Sequence, residues 1–157
     1  SAFLFLFGIW DIVYYIGLKI FLNWPELLLT WDILFLIPII WVGPVLAPVL
    51  CSLLMIAMSL LFDFRQSNND LKQLEIKELV LLFSGAAVIY FTFTVDFGMI
   101  LIHENFLKNY FNLAENREFL EILTTWEPTH FNWLIFALGF GLICVGIYMV
   151  NKRSSVK

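Results

Sequence analysis

The chain has 157 residues, of which 61% are hydrophobic, 18% aromatic and only 14% charged, with a net charge of −4. A soluble domain usually carries about 25% charged residues, and one this short has too little polar surface to cover so much apolar material. Nucleic-acid binding is excluded in the absence of a basic stripe, and a mean hydropathy of +0.88 points to a multi-pass membrane protein.

Residues 2–22, AFLFLFGIWDIVYYIGLKIFL, are long enough for one crossing, at about 20 apolar residues per span. No basic residues precede them and no small-residue cleavage site follows, so a span is expected rather than a signal peptide. Asp11 lies near the middle, and Tyr15 and Lys19 follow at steps of four, so the three share a helix face. A carboxylate at the bilayer centre costs about 2.5–3.5 kcal/mol on insertion scales. Asp11 must therefore face Tyr15, Lys19 or another helix, or take up a proton. A buried structural hydrogen bond is favoured over a proton or cation relay.

The stretch from Trp31 to Phe62 is apolar almost throughout, with Asp32 at its start and Pro38, Gly43, Pro44 and Pro48 in its first half. As one helix it would reach roughly 48 Å, against a hydrocarbon core of about 30 Å. The preferred division is a half-helix or re-entrant piece over 32–41 and a span over 44–62. Pro44 then takes the first helical position and Pro48 strains the next turn. Backbone irregular at membrane depth must be covered by protein or line a wet cavity. Trp10-Asp11-Ile12 recurs as Trp31-Asp32-Ile33, which is read as similar local usage rather than a repeat.

Residues 63–78 form a polar loop, and residues 79–102 the third span, on which Thr92, Asp96 and His103 share a face. Residues 104–130 form a second polar loop. Within it Asn112 and Glu115 resemble a capping box, predicting an amphipathic interfacial helix over 113–123. Residues 131–150 form the last span, where Ala137 and Gly141 make a small-xxx-small pair suited to close helix approach. Arg65, Lys72, Lys77, Lys152, Arg153 and Lys157 fall on one side and outnumber Lys19, Lys108 and Arg117 on the other. The positive-inside rule then places the 63–78 loop and the C-terminus in the cytoplasm.

Motifs for chemistry are sparse. Cys51 and Cys144 sit in apolar runs, as small core residues do. His103 and His130 are the only histidines. They could ligate haem, or a metal with Asp96 or Glu104, but both adjoin polar loops, and interfacial hydrogen bonding is favoured. Glu26, Asp32, Glu104, Glu127 and Asp96 could form an acidic mouth that concentrates cations, although a solvated rim is the commoner outcome. The aromatic side chains read mainly as packing, with a pigment or quinone slot as the lesser alternative. The expectation is that this chain alone binds no cofactor.

The run GIWDIVYYIGLK…WPELLLTWDILFLIPIIWVGPVLAPVL, together with EPTHFNWLIFALG, resembles a pattern in uncharacterised bacterial small integral membrane proteins. That resemblance implies a bacterial cell inner membrane and no activity. The expected architecture is an all-α polytopic protein with about four transmembrane helices, one proline-broken segment and an outward interfacial helix. Its expected partners are lipid and other membrane subunits, and its leading role is a non-catalytic subunit of a larger, energy-converting or electron-transport complex. A small proton- or cation-coupled transporter or channel component using Asp11 or Asp96 is the alternative, and a haem-, pigment- or quinone-binding subunit the third.

Overall fold

A computed structural model describes residues 1–36, 39–67, 74–103, 106, 117, 119, 121–122, 126, 128 and 130–154. Four helices are long and apolar enough to cross a membrane: α1 (Ala2–Leu22), α2 (Leu46–Ser67), α3 (Ile76–His103) and α4 (Trp133–Ser154). At 1.5 Å per residue, the 21 residues of α1 give about 32 Å, one bilayer crossing. Its C-terminus is closed by Asn23 in the left-handed region (φ 53°), with Trp24 N–H donating to Leu18 O at 3.4 Å. Asparagine tolerates that conformation better than most residues, so it can stand where glycine usually ends a helix. The Trp24–Pro25 peptide bond that follows is cis.

The segment expected as a half-helix over 32–41 is instead a β-hairpin. Strand β1 (Trp31–Phe35) pairs antiparallel with β2 (Trp41–Pro44), placing Trp31 opposite Pro44, Asp32 opposite Gly43 and Ile33 opposite Val42. The register shifts between Ile33 and Phe35, a bulge that gives β1 one extra residue. Strand pairing satisfies backbone groups that a proline-broken helix would leave open, which meets the requirement for internal hydrogen bonding near lipid. The ladder continues past the strands: Val45 N–H donates to Thr30 O (3.0 Å) and Leu46 N–H to Leu28 O (2.7 Å). Those two bonds satisfy N–H groups at the start of α2 that no helical carbonyl can reach. They also set the helix start at Leu46 rather than at Pro44. Pro48 therefore lies in the first turn, where its missing N–H breaks no helical bond and the expected strain does not arise.

The helices pack in two antiparallel pairs, α1 with α2 and α3 with α4. The hairpin joins the pairs at one end, because β2 touches both α2 and α3. One face of α3 runs through both core clusters: Ile89, Phe93, Phe97 and Leu101, at steps of four, are all buried. Phe93 packs with Ala47, Phe131 and Phe136, whereas Phe97 and Leu101 pack with Phe106, Phe119 and Trp126. The expected 113–123 helix lies largely outside the described residues. Of its described members, Arg117 and Glu121 are exposed and Phe119 is buried.

The close approach within α3–α4 falls on Gly85 and Gly139, not on the expected pair Ala137 and Gly141. A Cβ on Gly85 would stand 2.6 Å from Gly139 O, and one on Gly139 would stand 2.9 Å from Gly85 O. Ala137 is exposed, and a Cβ on Gly141 would meet nothing within 4 Å. Small-residue spacing marks a helix that can be approached closely but carries no information about which face is used.

At the end away from the hairpin, polar side chains tie three helices together. Arg153 pairs with Glu78 (2.9 Å) and Glu75 (2.9 Å), and Glu78 Oε2 also accepts from Glu75 N–H at 2.8 Å. Arg65 reaches from α2 to the carbonyl (3.0 Å) and the side chain of Asn151 on α4. Glu78 is 1% exposed, and with Arg153 its charge is buried as a hydrogen-bonded ion pair.

Candidate functional site

The polar groups at membrane depth lie on the face that α1 turns toward α2 and the hairpin. Asp11, Tyr15 and Lys19 share it, as their spacing predicts, but each has its own partner. Ser52 Oγ on α2 donates to Asp11 Oδ2 at 2.7 Å. Tyr15 OH donates to Asp32 Oδ2 at 2.9 Å, linking α1 to β1. Lys19 Nζ turns away from both carboxylates and donates to Pro25 O at 2.9 Å. Gly8 lets α1 approach α2 near this point: a Cβ there would stand 2.8 Å from Ser52 O.

Asp32 accepts at both oxygens, since Ile33 N–H reaches Oδ1 at 2.8 Å. Asp11 and Asp32 are the two carboxylates on this side of α1, each held by a hydroxyl donor. Among the described residues, neither forms an ion pair with a basic side chain; the pairs formed by Arg153 are at the opposite end. Between α1 and the hairpin, the two carboxylates Asp11 and Asp32 thus stand against one ammonium, that of Lys19.

Two clefts flank the Tyr15–Asp32 bond. One, of about 330 Å³, is lined by Tyr15, Lys19, Pro25, Glu26 and apolar side chains that include Val45 and Val49. The other, of about 360 Å³, is lined by Trp31, Asp32, Ile33, Ile40, Val42, Trp126 and Pro128. Beside the hairpin, Trp41 Nε1 is buried with no acceptor among the described residues, and its ring stacks with Phe93 at 6.3 Å between centroids.

The other candidates do not join this site. Asp96 is half-buried in α3 with no hydrogen-bond partner among the described residues, and Thr92 on the same face bonds locally to Val88 O at 2.8 Å. His103 ends α3, but its side chain lies outside the described residues, as do Glu104 and Glu127. His130 is exposed just before α4, and among the described residues no three His, Cys, Asp or Glu side chains gather as a metal site. Glu26 is exposed beside the first cleft.

One participant, Ser52, was not singled out from the sequence, and another, Asp32, was given a different role. Ser52 looked like one small residue in an apolar run, but Ser52 and Ser59 are seven apart, both are buried, and both bond to α1 or its start. That spacing was the available signal. Asp32 was read as part of an outer acidic rim, and only the hairpin brings it against Tyr15.

Fold and polar contacts together define an all-α, multi-pass membrane protein in contact with lipid. No protein-family model, curated protein or solved structure matches the chain.

Proposed function

We propose that the chain is a non-catalytic membrane subunit whose outward helix faces pack against the spans of a larger assembly in a bacterial inner membrane. The observation that carries this reading is the outer face of α4. Leu134, Ala137, Leu138, Gly141, Val145 and Tyr148 follow a helical stripe, in which Ala137 is exposed and a Cβ on Gly141 would meet nothing within 4 Å among the described residues. Small residues at steps of four, on a face that the described residues of this chain leave open, give a neighbouring helix room for close approach. The polar groups support the same role, because Asp11, Tyr15 and Lys19 are each engaged in bonds that fix this chain's own packing. By the positive-inside rule, the end carrying Arg65, Lys77, Lys152 and Arg153 faces the cytoplasm.

The test is purification in mild detergent with cross-linking through α4. The expected result is stoichiometric recovery of at least one further membrane protein, lost on Gly141→Leu while the helix content of this chain is unchanged. A monodisperse single chain, or an assembly indifferent to Gly141→Leu, would refute the proposal. Reporter fusions at the C-terminus test the orientation: activity only on the outer side would reverse it.

A further inference from the structure

Asp32 has chemistry left over from its structural work. It holds Tyr15 and the Ile33 amide, yet no cation compensates it among the described residues. The cleft of about 360 Å³ opens directly on it. The other described lining residues are two tryptophans, Trp31 and Trp126, and apolar side chains.

That donor set selects the kind of ligand. A hard metal ion requires six or more oxygen ligands for calcium, or near-octahedral oxygen and water for magnesium. Among the described lining residues, the one carboxylate beside Ile33, Ile40, Val42 and Pro128 offers far too few oxygens. An anion is repelled. The described lining suits a weakly hydrated organic cation: Asp32 offers the counter-charge, Trp31 and Trp126 offer the ring type that attracts ammonium groups, and the aliphatic side chains accept its methyl groups. We propose that the cleft bounded by Trp31, Asp32 and Trp126 is a binding site for a quaternary or methylated ammonium group. The site adds a ligand to the packing role above and does not depend on it.

An ammonium group of this kind can come from a water-soluble cation or from a choline lipid headgroup. The experiment uses the full chain in phosphatidylglycerol nanodiscs and titrates choline by calorimetry against its neutral isostere, 3,3-dimethyl-1-butanol. The expected result is saturable binding of choline alone. Asp32→Asn and Trp126→Leu should each weaken it by at least about tenfold, whereas Asp63→Asn, at the far end of the molecule, should not. If Asp32→Asn misfolds by circular dichroism, Trp126→Leu and the isostere comparison decide the matter, since neither disturbs the Tyr15 bond. Equal binding of choline and isostere, or choline binding unchanged by both variants, or no choline binding at all, overturns the proposal. Repeating the titration in phosphatidylcholine nanodiscs separates the sources. Loss of free choline binding there assigns the site to the lipid headgroup, and unchanged binding assigns it to a soluble cation.

Discussion

Gly85→Ala tests how the α3–α4 pair is held. The new Cβ would stand 2.6 Å from Gly139 O, 2.6 Å from Ile143 Cγ1 and 3.1 Å from Ile143 N. Two of those atoms are backbone and cannot rotate away. Ordinary contact begins at 3.4 Å, so the helices must separate by about 0.8 Å at their tightest point, which loosens the close-packed contacts around it. Overpacking typically costs 1–3 kcal/mol, and backbone obstruction puts this site near the top of that range. Replacing a helical glycine by alanine returns about 1 kcal/mol of propensity. The net expectation is a loss of about 2 kcal/mol, a roughly thirtyfold shift in the folded-to-unfolded ratio. Gly98→Ala is the matched control, because a Cβ there meets nothing within 4 Å. It should be neutral or gain up to about 1 kcal/mol. Both can be measured by reversible unfolding in mixed micelles of increasing dodecyl sulfate fraction, followed by circular dichroism. If Gly85→Ala proves as stable as Gly98→Ala, the Gly85–Gly139 contact does not hold the pair and the argument fails.

Three further outcomes follow from the polar contacts. Ser52→Ala should cost about 1 kcal/mol, within the range for interhelical hydrogen bonds in membranes, while Asp11→Asn keeps an acceptor for Ser52 and should change stability by less than about 0.5 kcal/mol. The same unfolding assay checks both, and a larger loss for Asp11→Asn would mean that the charge itself matters. Arg153→Ala strips the buried Glu78 of its cation and should cost about 3 kcal/mol, a loss reduced in the Glu78→Gln/Arg153→Ala double variant; an unreduced loss in that cycle would assign the effect to packing. Glu75→Ala removes only the more exposed partner of Arg153 and should cost less than about 1 kcal/mol by chemical denaturation.

The four spans were legible because length and continuous apolarity are properties of a single segment. Residues 2–22 were expected and observed as one helix, while α2 runs beyond residue 62 because Asp63 and Arg65 find partners in Ser1 and Asn151. The hairpin was not legible. Ile33, Leu34, Phe35 and Leu36 show no polar alternation, so a buried strand and a buried helix look alike there, and Pro44 fits a helix start as well as a strand end. Only pairing with Trp41–Pro44 settles the difference, and pairing is not local information. The same limit explains the site. Asp11 stood out by its cost in lipid, but its partner Ser52 lies 41 residues away, and Tyr15 meets Asp32 only because the hairpin folds back. The close-packing glycines failed for a third reason: Gly139 and Gly141 lie two residues apart and so point to different sides of α4, and the choice between them belongs to α3.

The hairpin also constrains the order in which the protein can be made. Its second strand is covered from the far side of the chain: the Phe93 ring occupies the space where Gly43 has no side chain, and Phe131 closes beside it. Both rings are synthesised after α2. As the first helix pair leaves the translocon, Val42, Gly43 and Pro44 therefore lack the cover that buries them in the finished protein. Arrival of α3 and α4 completes the cover and locks the two pairs together in one step. A chain stopped at Ser67 would deliver two membrane helices whose second strand lacks the cover that Phe93 and Phe131 supply.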